Sequence, residues 1–574
     1  MDRAARRRAA RGNGKKIAGV WLSNAPFAPT GYGTQTNQTV KRMVADGHKI
    51  VVACNYGLEA TTTVFEGIDL WPRGFDAYST DIAAPYFRDW SRQHPNDVPV
   101  LFTLYDTWTF QGPRWDQMPV ASWVPIDHMP TPPAVEAFCR KPNVTPIAMS
   151  KFGKDQLERK GIACEYVPHA IETSVFKPTP KIQQDDGKWL TGREIMGVPD
   201  DAFVVLIANA NKSGGNVHRK AFPEQVLAFS IFAQQHPDAV LFIHSEQFGA
   251  MGGLAFDPLI AACGLSRDQV KFVNQYQLRM GIPQEAMAAI YTAADVLLSP
   301  TYGEGFGITV LEAMATGTPV IVSDFTAQSE LAGPDAIKVG GQPWWDAAQM
   351  AWWSIPSVPE MVDALRQAHD RGQVRSEEAI RWVQSEYDAD VVFDRDWRPV
   401  LDRLIEREPA AEAPRAFCND KQTDPLVTIY IPTWKRPELA ALLDSLAPQL
   451  CPEVEVIVSD NDGSAGPLVR ERLRNAPCRV DYSRRESNIG GDANILRGFS
   501  QGSGEWVWII GDDDVLAPDA IRRVLSALDD MHYGAQDRLI LLSKSASRRR
   551  ARTCCPRQPY RRPGRRPRVG RRSR

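Results

Sequence analysis

The sequence predicts an α/β protein: two successive doubly wound domains, a smaller α/β domain behind them, and a tail that cannot pack. Three observations predict it. Short apolar runs alternate with amphipathic helical stretches along most of the chain. The alternation stops once, at a stretch rich in Pro and Ala, and then restarts. The length, 574 residues, exceeds what one core holds, since single cores stop growing near about 250–300 residues. Apolar content of 43% and charged content of 24% are those of a globular protein. No apolar run reaches the roughly 18 residues that a membrane-spanning helix needs.

The elements follow in order. Residues 1–14 are basic, without an apolar core or a cleavage site, so they read as a disordered extension suited to anionic surfaces and not as a secretory signal. Domain one, 15–170, opens with KKIAGVWLSN as strand, APFAPTGYGT as glycine loop, QTNQTVKRMVADG as helix and HKIVVACN as strand, a βαβ start. VPVLFTLYD, ASWVPID, VTPIAMS and CEYVPHA add strands, so the sheet is expected to be parallel and covered by helices. Domain two, 171–407, repeats the pattern. Strands AFVVLIANAN, AVLFIHS, VKFVNQ and DVLLSP alternate with helices FPEQVLAFSIFAQQHP and PQEAMAAIYTAA, and the helical stretch SEEAIRWVQSEYDADVVFDRDWRPVLDRLIER closes it. Residues 408–425 read as a linker. A third βα pattern occupies 426–545, beginning LVTIYIPTWKRPELAALLDSLAPQ.

Residues 546–574 are Arg, Pro and Gly with almost nothing to bury. Thirteen arginines and no acid lie between Arg548 and Arg574, so the net charge of −2 hides an acidic body and a basic tail. That tail reads as out-of-frame translation of a GC-rich gene. A nucleic-acid-binding tail is the competing reading, but no nucleic-acid partner is expected, because aromatics other than Tyr560 are not interleaved with the arginines. The nine cysteines, among them Cys54, Cys139, Cys164 and Cys263, lack ligand spacing, as in a reduced, cytoplasmic protein.

The stretch SPTYGEGFGITVLEAMATGTPVIVSD, residues 299–324, sets Glu304 and Glu312 eight positions apart, with glycines at 303, 305 and 307 before a helix. A helix start carries unpaired N–H groups and partial positive charge, and glycines let a ligand approach the backbone. Two carboxylates can accept from hydroxyls at either end of a ligand that has phosphates between them: a nucleotide-sugar. The spacing resembles the signature of retaining family 4 glycosyltransferases, whose fold is GT-B, two Rossmann-like doubly wound domains. The resemblance covers roughly residues 15–400. It implies that Glu304 holds the donor sugar near its reacting carbon and that Glu312 holds the ribose. The amides near Gly305, Phe306 and Gly307 would face the sugar. NKSGGNVHRKAFPEQVLAF fits the family's basic element, so Arg219 and Lys220 would neutralise the diphosphate as it leaves.

TGYGTQTNQT resembles the N-domain glycine loop; Gly31 and Gly33 would admit donor phosphate or acceptor, unless they form an ordinary turn. In VPIDHMPTPP, Asp127 and His128 follow a strand, and the resemblance makes His128 the candidate beside the donor sugar, with a core or capping histidine as the alternative. VPHAIETSVFKP resembles the interdomain element, with His169, Ala170 and Glu172 replacing the usual Asn, Gly and Asp. Trp344, Trp345, Trp352 and Trp353 are either an acceptor platform or the packing of an insertion.

The third domain, with VTIYIPTWKRPELAALLDSL, VIVSDNDGS, ESNIGGDANILRGFSQGSGEWVWIIGDDD and its final aspartates, resembles family 2 glycosyltransferases of GT-A fold. The resemblance implies Asp460 near the nucleotide base and Mg2+ or Mn2+ on Asp512 and Asp514. The family's catalytic base lies well downstream, so this GT-A module is expected to be partial and inactive. The GT-B half is expected to need no metal and to transfer a hexosyl group from a nucleotide-sugar donor to a glycan or lipid-linked acceptor in bacterial polysaccharide assembly, with room for peripheral membrane association. A nucleotide-sugar epimerase or phosphorylase of the same architecture, and a non-catalytic nucleotide-sugar-binding scaffold, are the rivals.

Overall fold

The structure is a computed structural model. It describes residues 15–406, apart from 113, 114, 117, 185, 213–216 and 373, then 415–418 and 425–529, apart from 485–493, 496–500 and 505. The basic extension, most of the linker, much of ESNIGGDANILRGFSQGSGE and the arginine tail therefore lie outside the described residues. The chain divides into two compact units, Met1–Glu412 and Ala413–Arg574.

The first unit has two lobes. The N-terminal lobe contains Ile17–Asn24 (β1), Lys49–Tyr56 (β2), Thr63–Phe65 (β3), Ile68–Trp71 (β4), Val98–Leu104 (β5), Val120–Val124 (β6), Val144–Ala148 (β7) and Glu165–Tyr166 (β8). They form one sheet in the order β3-β4-β2-β1-β5-β6-β7-β8, parallel except for the β3–β4 pair. After a small hairpin, Lys181–Gln183 (β9) with Trp189–Thr191 (β10), the second lobe contains Phe203–Ala208 (β11), Ala239–His244 (β12), Val270–Phe272 (β13), Val296–Leu298 (β14), Val320–Ser323 (β15) and Ile337–Val339 (β16). This all-parallel sheet runs β13-β12-β11-β14-β15-β16. Helices cover both faces, so β6 and β11 are buried at every residue, which is why they read as unbroken apolar runs.

Strand order reverses between β1 and β5 in one lobe and between β11 and β14 in the other. In open α/β sheets a crevice opens beyond the carboxyl ends of the strands at such points, and Arg219, Lys220, Glu304 and His128 each follow one of these strands or the adjacent β6.

The helix Gly31–Ala45 starts four residues earlier than the expected start at Gln35. Thr30 caps it, its hydroxyl accepting from the Gly33 amide at 3.0 Å, so both glycines sit in the first turn. The four tryptophans form an antiparallel hairpin, Gly341–Asp346 (β17) with Ala351–Pro356 (β18).

The chain's last helix in this unit, Arg398–Glu406, returns to the first lobe. Arg398 forks onto Asp46 at 2.6 and 2.9 Å, a planar bidentate pair. Trp397 enters the first lobe's aromatic core, 4.9 Å from the Trp123 ring and 5.9 Å from that of Trp21. The connection between lobes is tied to both: Gln35 exchanges two hydrogen bonds with the Ala170 backbone at 2.6 and 3.0 Å. Glu172 accepts a fork from Arg42 at 2.9 and 3.1 Å, and Ile171 pairs with Tyr387 and Ala389 at 2.9 Å. His169 lies beneath, against Trp123 and Phe306, with neither ring nitrogen hydrogen-bonded among the described residues. Burial drops its pKa to about 3.

The second unit is a five-stranded sheet in the order β19-β22-β21-β20-β23, from Arg415–Cys418 (β19), Val427–Thr433 (β20), Val454–Asp460 (β21), Arg479–Arg484 (β22) and Trp506–Ile509 (β23). All pairs are parallel except β19–β22.

Two outcomes follow from this packing. Replacing the 2%-exposed Trp397 by alanine lowers the unfolding free energy of the first unit by about 3–5 kcal/mol, read from guanidinium denaturation midpoints. His169→Leu leaves stability near wild type at pH 7.5 and raises it relative to wild type at pH 5. The unfolded histidine takes up a proton near its ordinary pKa, which the folded one refuses down to about 3, so wild-type stability is lost as pH falls through that window. Melting temperatures of both proteins at the two pH values check it.

Candidate active site

Arg219 and Lys220 lie in the loop after β11, and Glu304 lies in the loop after β14. The two loops thus flank the second lobe's strand-order reversal and bring together residues 84 positions apart. Lys220 Nζ bonds Glu304 Oε1, and Arg219 Nη1 lies 3.1 Å from Glu304 Oε2. Arg219 also donates to the Gly303 carbonyl. The two loops pair along their backbones, Tyr302 N–H donating to Arg219 O at 2.9 Å. Glu304 is 7% exposed. Burial alone would raise its pKa, but Arg219 and then Lys220 outweigh burial and hold the carboxyl below the ordinary range.

The facing wall comes from the first lobe. Asp127, after β6, sets Oδ2 3.8 Å from Arg219. Asp106, after β5, opens to solvent on one side, while the protein packed around the rest of it and then the Asp127 charge push its carboxyl up to about 6. Tyr32, in the first turn of Gly31–Ala45, lies near Asp106, and its hydroxyl is raised well above its usual pKa by burial and then by the Asp106 charge. Two cations and one carboxylate on one wall thus meet two carboxylates on the other.

The glycines have separate reasons. A Cβ on Gly303 would stand 2.1 Å from the Asp127 carbonyl, and one on Gly305 would stand 2.7 Å from Pro125 Cβ, so both allow the lobes to approach. Gly307 has φ of 119°, a left-handed conformation that favours glycine, and caps the helix Ile308–Ala315. Gly31 faces Ile308 across the cleft, a Cβ there standing 3.2 Å from Ile308 Cδ1. Gly33 is spent on its own lobe, since a Cβ would stand 2.3 Å from the Ala28 carbonyl.

Three sequence candidates occupy other surroundings. The Phe306 side chain is turned into the core, packing on His169 and Tyr387, which leaves its backbone to the loop. Glu312 accepts from Tyr291 at 2.8 Å, and burial pushes its carboxyl up to about 7. His128 is 3% exposed. Its Nδ1 lies 2.7 Å from Asp127 Oδ1 and its Nε2 3.2 Å from Asp346 Oδ2, so both ring nitrogens are engaged and Asp127 is what this loop shows to the cleft.

Sequence reasoning named Asp127 only as the neighbour of His128 and missed Asp106, Tyr32 and Asp346. A carboxylate directly after a buried strand was the available signal for Asp106. Asp346 gave none, since its partner lies 218 positions away.

In the second unit Asp460 ends β21, fully buried. It accepts from the Asp462 and Ala465 amides at 3.0 and 2.7 Å and from the Tyr482 hydroxyl at 2.7 Å, which holds its own turn together. Asp512, after β23, accepts from the Thr433 hydroxyl at 2.9 Å, and Asp514 accepts from the Gly511 amide at 3.1 Å. Both aspartates offer hard oxygen donors beyond the carboxyl end of β23, a parallel strand at the edge of the described sheet, a donor type that suits Mg2+ or Mn2+.

Residues 215–351 match the family model described as glycosyl transferases group 1, and residues 428–566 match that of glycosyl transferase family 2. A D-inositol 3-phosphate glycosyltransferase of Corynebacterium urealyticum is 28% identical over 252 residues, 42% of this chain and 52% of the relative. A galactofuranosyltransferase of Mycobacterium tuberculosis is 39% identical over 107 residues, 18% of this chain and 34% of the relative. An abequosyltransferase of Salmonella typhimurium is 33% identical over 109 residues, 18% of this chain and 33% of the relative. The chain therefore spans between a third and about half of the length of these relatives. Among solved structures, a sucrose-phosphate synthase of Thermosynechococcus elongatus superposes with a TM-score of 0.50 at 16% identity, covering 67% of this chain and 99% of that one. A glycosyltransferase of Rickettsia africae gives a TM-score of 0.50 at 13% identity, covering 69% and 100%. These likenesses are of fold, the two-lobed GT-B architecture. Two segments of the chain thus match glycosyltransferase models in tandem, group 1 within the two-lobed unit and family 2 in the unit that follows it in sequence.

Proposed function

We propose that the two-lobed unit transfers a hexosyl group from a nucleoside-diphosphate sugar to a hydroxyl of a glycan or lipid-linked acceptor, with retention. One observation carries this reading: Arg219 and Lys220 converge on Glu304 beside a strand-order reversal, opposite a wall of carboxylates. A sugar diphosphate gains negative charge on its bridging oxygen as the bond to the sugar breaks. Cations already in place favour that state over the ground state and need no reorganisation. Glu304 keeps both cations together and accepts from donor-sugar hydroxyls. The backbone of Gly305, Phe306 and Gly307 approaches the sugar, and Glu312 accepts from the ribose.

The acceptor enters from the wall of Tyr32, Asp106 and Asp127. Its oxygen attacks the anomeric carbon from the face that the diphosphate leaves. The carbon–phosphate-oxygen bond breaks with its electron pair on the diphosphate, and the departing phosphate oxygen takes the acceptor proton. No metal takes part in these steps. In the second unit Asp512 and Asp514 would hold Mg2+ or Mn2+, which would supply charge neutralisation to a bound diphosphate. The setting proposed is bacterial glycan assembly in the cytoplasm; no described helix is long and apolar enough to cross a membrane.

The full chain, incubated with UDP-, GDP- and ADP-sugars, is expected to release nucleotide from at least one donor. Glu304→Ala and Lys220→Ala each lower that rate by about 100-fold or more. Asp512→Asn/Asp514→Asn and added EDTA leave it unchanged. Binding without release would identify a scaffold, and isomerised nucleotide-sugar without release an epimerase. Wild-type rates in Glu304→Ala and Lys220→Ala would remove the assigned roles.

A further inference from the structure

The tryptophan hairpin answers a question that the cleft leaves open: what holds Asp127 in place. Its antiparallel register sets Trp344 opposite Trp353, Trp345 opposite Trp352 and Asp346 opposite Ala351. Side chains alternate between faces, so each face carries one tryptophan pair. The inner pair stacks, Trp344 on Trp353 at 5.8 Å, and Trp353 stacks in turn on the His128 ring at 4.4 Å and 20°.

Backbone bonds anchor the hairpin on two sides. Met129 and Trp352 exchange N–H···O bonds at 3.0 and 2.9 Å across the lobes, and Ser354 N–H donates to Tyr302 O at 2.9 Å, in the loop of Glu304. The hairpin thus touches the loop that carries Glu304 and the loop that carries Asp127.

Between these anchors runs a line of polar contacts. The Ala348 amide donates to Asp346 Oδ1 at 2.9 Å; Asp346 Oδ2 meets His128 Nε2; His128 Nδ1 meets Asp127 Oδ1; Asp127 Oδ2 faces Arg219. Asp346 and His128 are 8% and 3% exposed, so their contacts are shielded from water and hold the ring tightly. Asp127 is more open, its side chain 28% exposed.

We propose that Asp346 is a positioning residue for the transfer reaction: through His128 it fixes the carboxylate of Asp127 against Arg219. Because Asp346 belongs to the second lobe and His128 to the first, the carboxylate is held only while the lobes are closed on each other. This rests on the transfer reading given above. Asp346 itself stays behind the histidine and touches no substrate. A displaced carboxylate misplaces the acceptor oxygen relative to the anomeric carbon, and misplacement of about 1 Å costs up to 100-fold in rate.

The test uses the full chain as wild type, Asp346→Ala and Asp346→Asn, with the donor found in the release assay. Asp346→Ala is expected to lower kcat by about tenfold or more while donor KM stays within about twofold. Asp346→Asn, whose amide oxygen still accepts from a ring N–H, recovers most of that loss. Deuterium exchange of the Met129 amide accelerates in Asp346→Ala. A wild-type kcat in Asp346→Ala, a loss lying wholly in donor KM, or no recovery in Asp346→Asn overturns the proposal. If the wild type releases nucleotide from no donor, the transfer reading fails by itself. The exchange measurement then decides the contact: acceleration upholds it, and an unchanged Met129 amide overturns it.

Discussion

The structure of the two-lobed unit turns on one electrostatic constraint. Two cations, Arg219 and Lys220, share a single buried carboxylate, Glu304, at the edge of a crevice. A buried charge costs several kcal/mol unless it is paired, and removing one partner costs about 3–5 kcal/mol. The loop after β11 is therefore tied to the loop after β14 by side chains as well as by the Tyr302–Arg219 backbone bond. One carboxylate cannot neutralise two cations, so the wall keeps an excess of positive charge, which is what attracts and steadies an anion. Asp106 and Asp127 oppose it and make the cleft polar in one direction, cationic on the second lobe and acidic on the first.

That polarity has meaning only if the lobes keep their register, and the chain provides for this twice. At one end the last helix returns, Arg398 forks onto Asp46 and Trp397 fills the aromatic core of the first lobe. At the other, the hairpin pairs Trp352 with Met129 and sets Asp346 on His128. Between them, Gln35 and Arg42 of the helix Gly31–Ala45 grip the crossing segment. His169 under that crossing is the costly element, an imidazole buried with neither nitrogen hydrogen-bonded among the described residues. Its neighbours Trp123 and Phe306 explain why a flat ring fits there.

The second unit obeys the same rule of parallel sheets. Asp460, Thr433 and Asp512 come from β21, β20 and the turn after β23, neighbours in that sheet, and all lie at the carboxyl ends. Asp460 holds its own turn, which leaves the post-β23 aspartates as the better placed donors.

The sequence by itself determined the element types, the two doubly wound sheets and the charges on the second lobe's wall of the crevice, Arg219, Lys220 and Glu304. These rest on local signals: unbroken apolar runs for strands buried on both faces, and Glu304 with its glycines directly before a helix. Arg219 and Lys220 were readable because a strand-to-helix loop in such a sheet opens on the crevice. Tertiary structure decided the rest. Gly33 lies in the first turn of a helix and packs against Ala28, because Thr30 starts the helix earlier than its apolar pattern shows. His128, readable as a residue at a strand end, proved to be enclosed, since its burial depends on a hairpin that follows more than 200 residues later. Asp106, Tyr32 and Asp346 acquire meaning only from partners on other elements. Periodicity reports which face of an element is apolar, whereas the partner of a polar side chain is set by which elements the fold makes neighbours, and that information is not local to any stretch of chain.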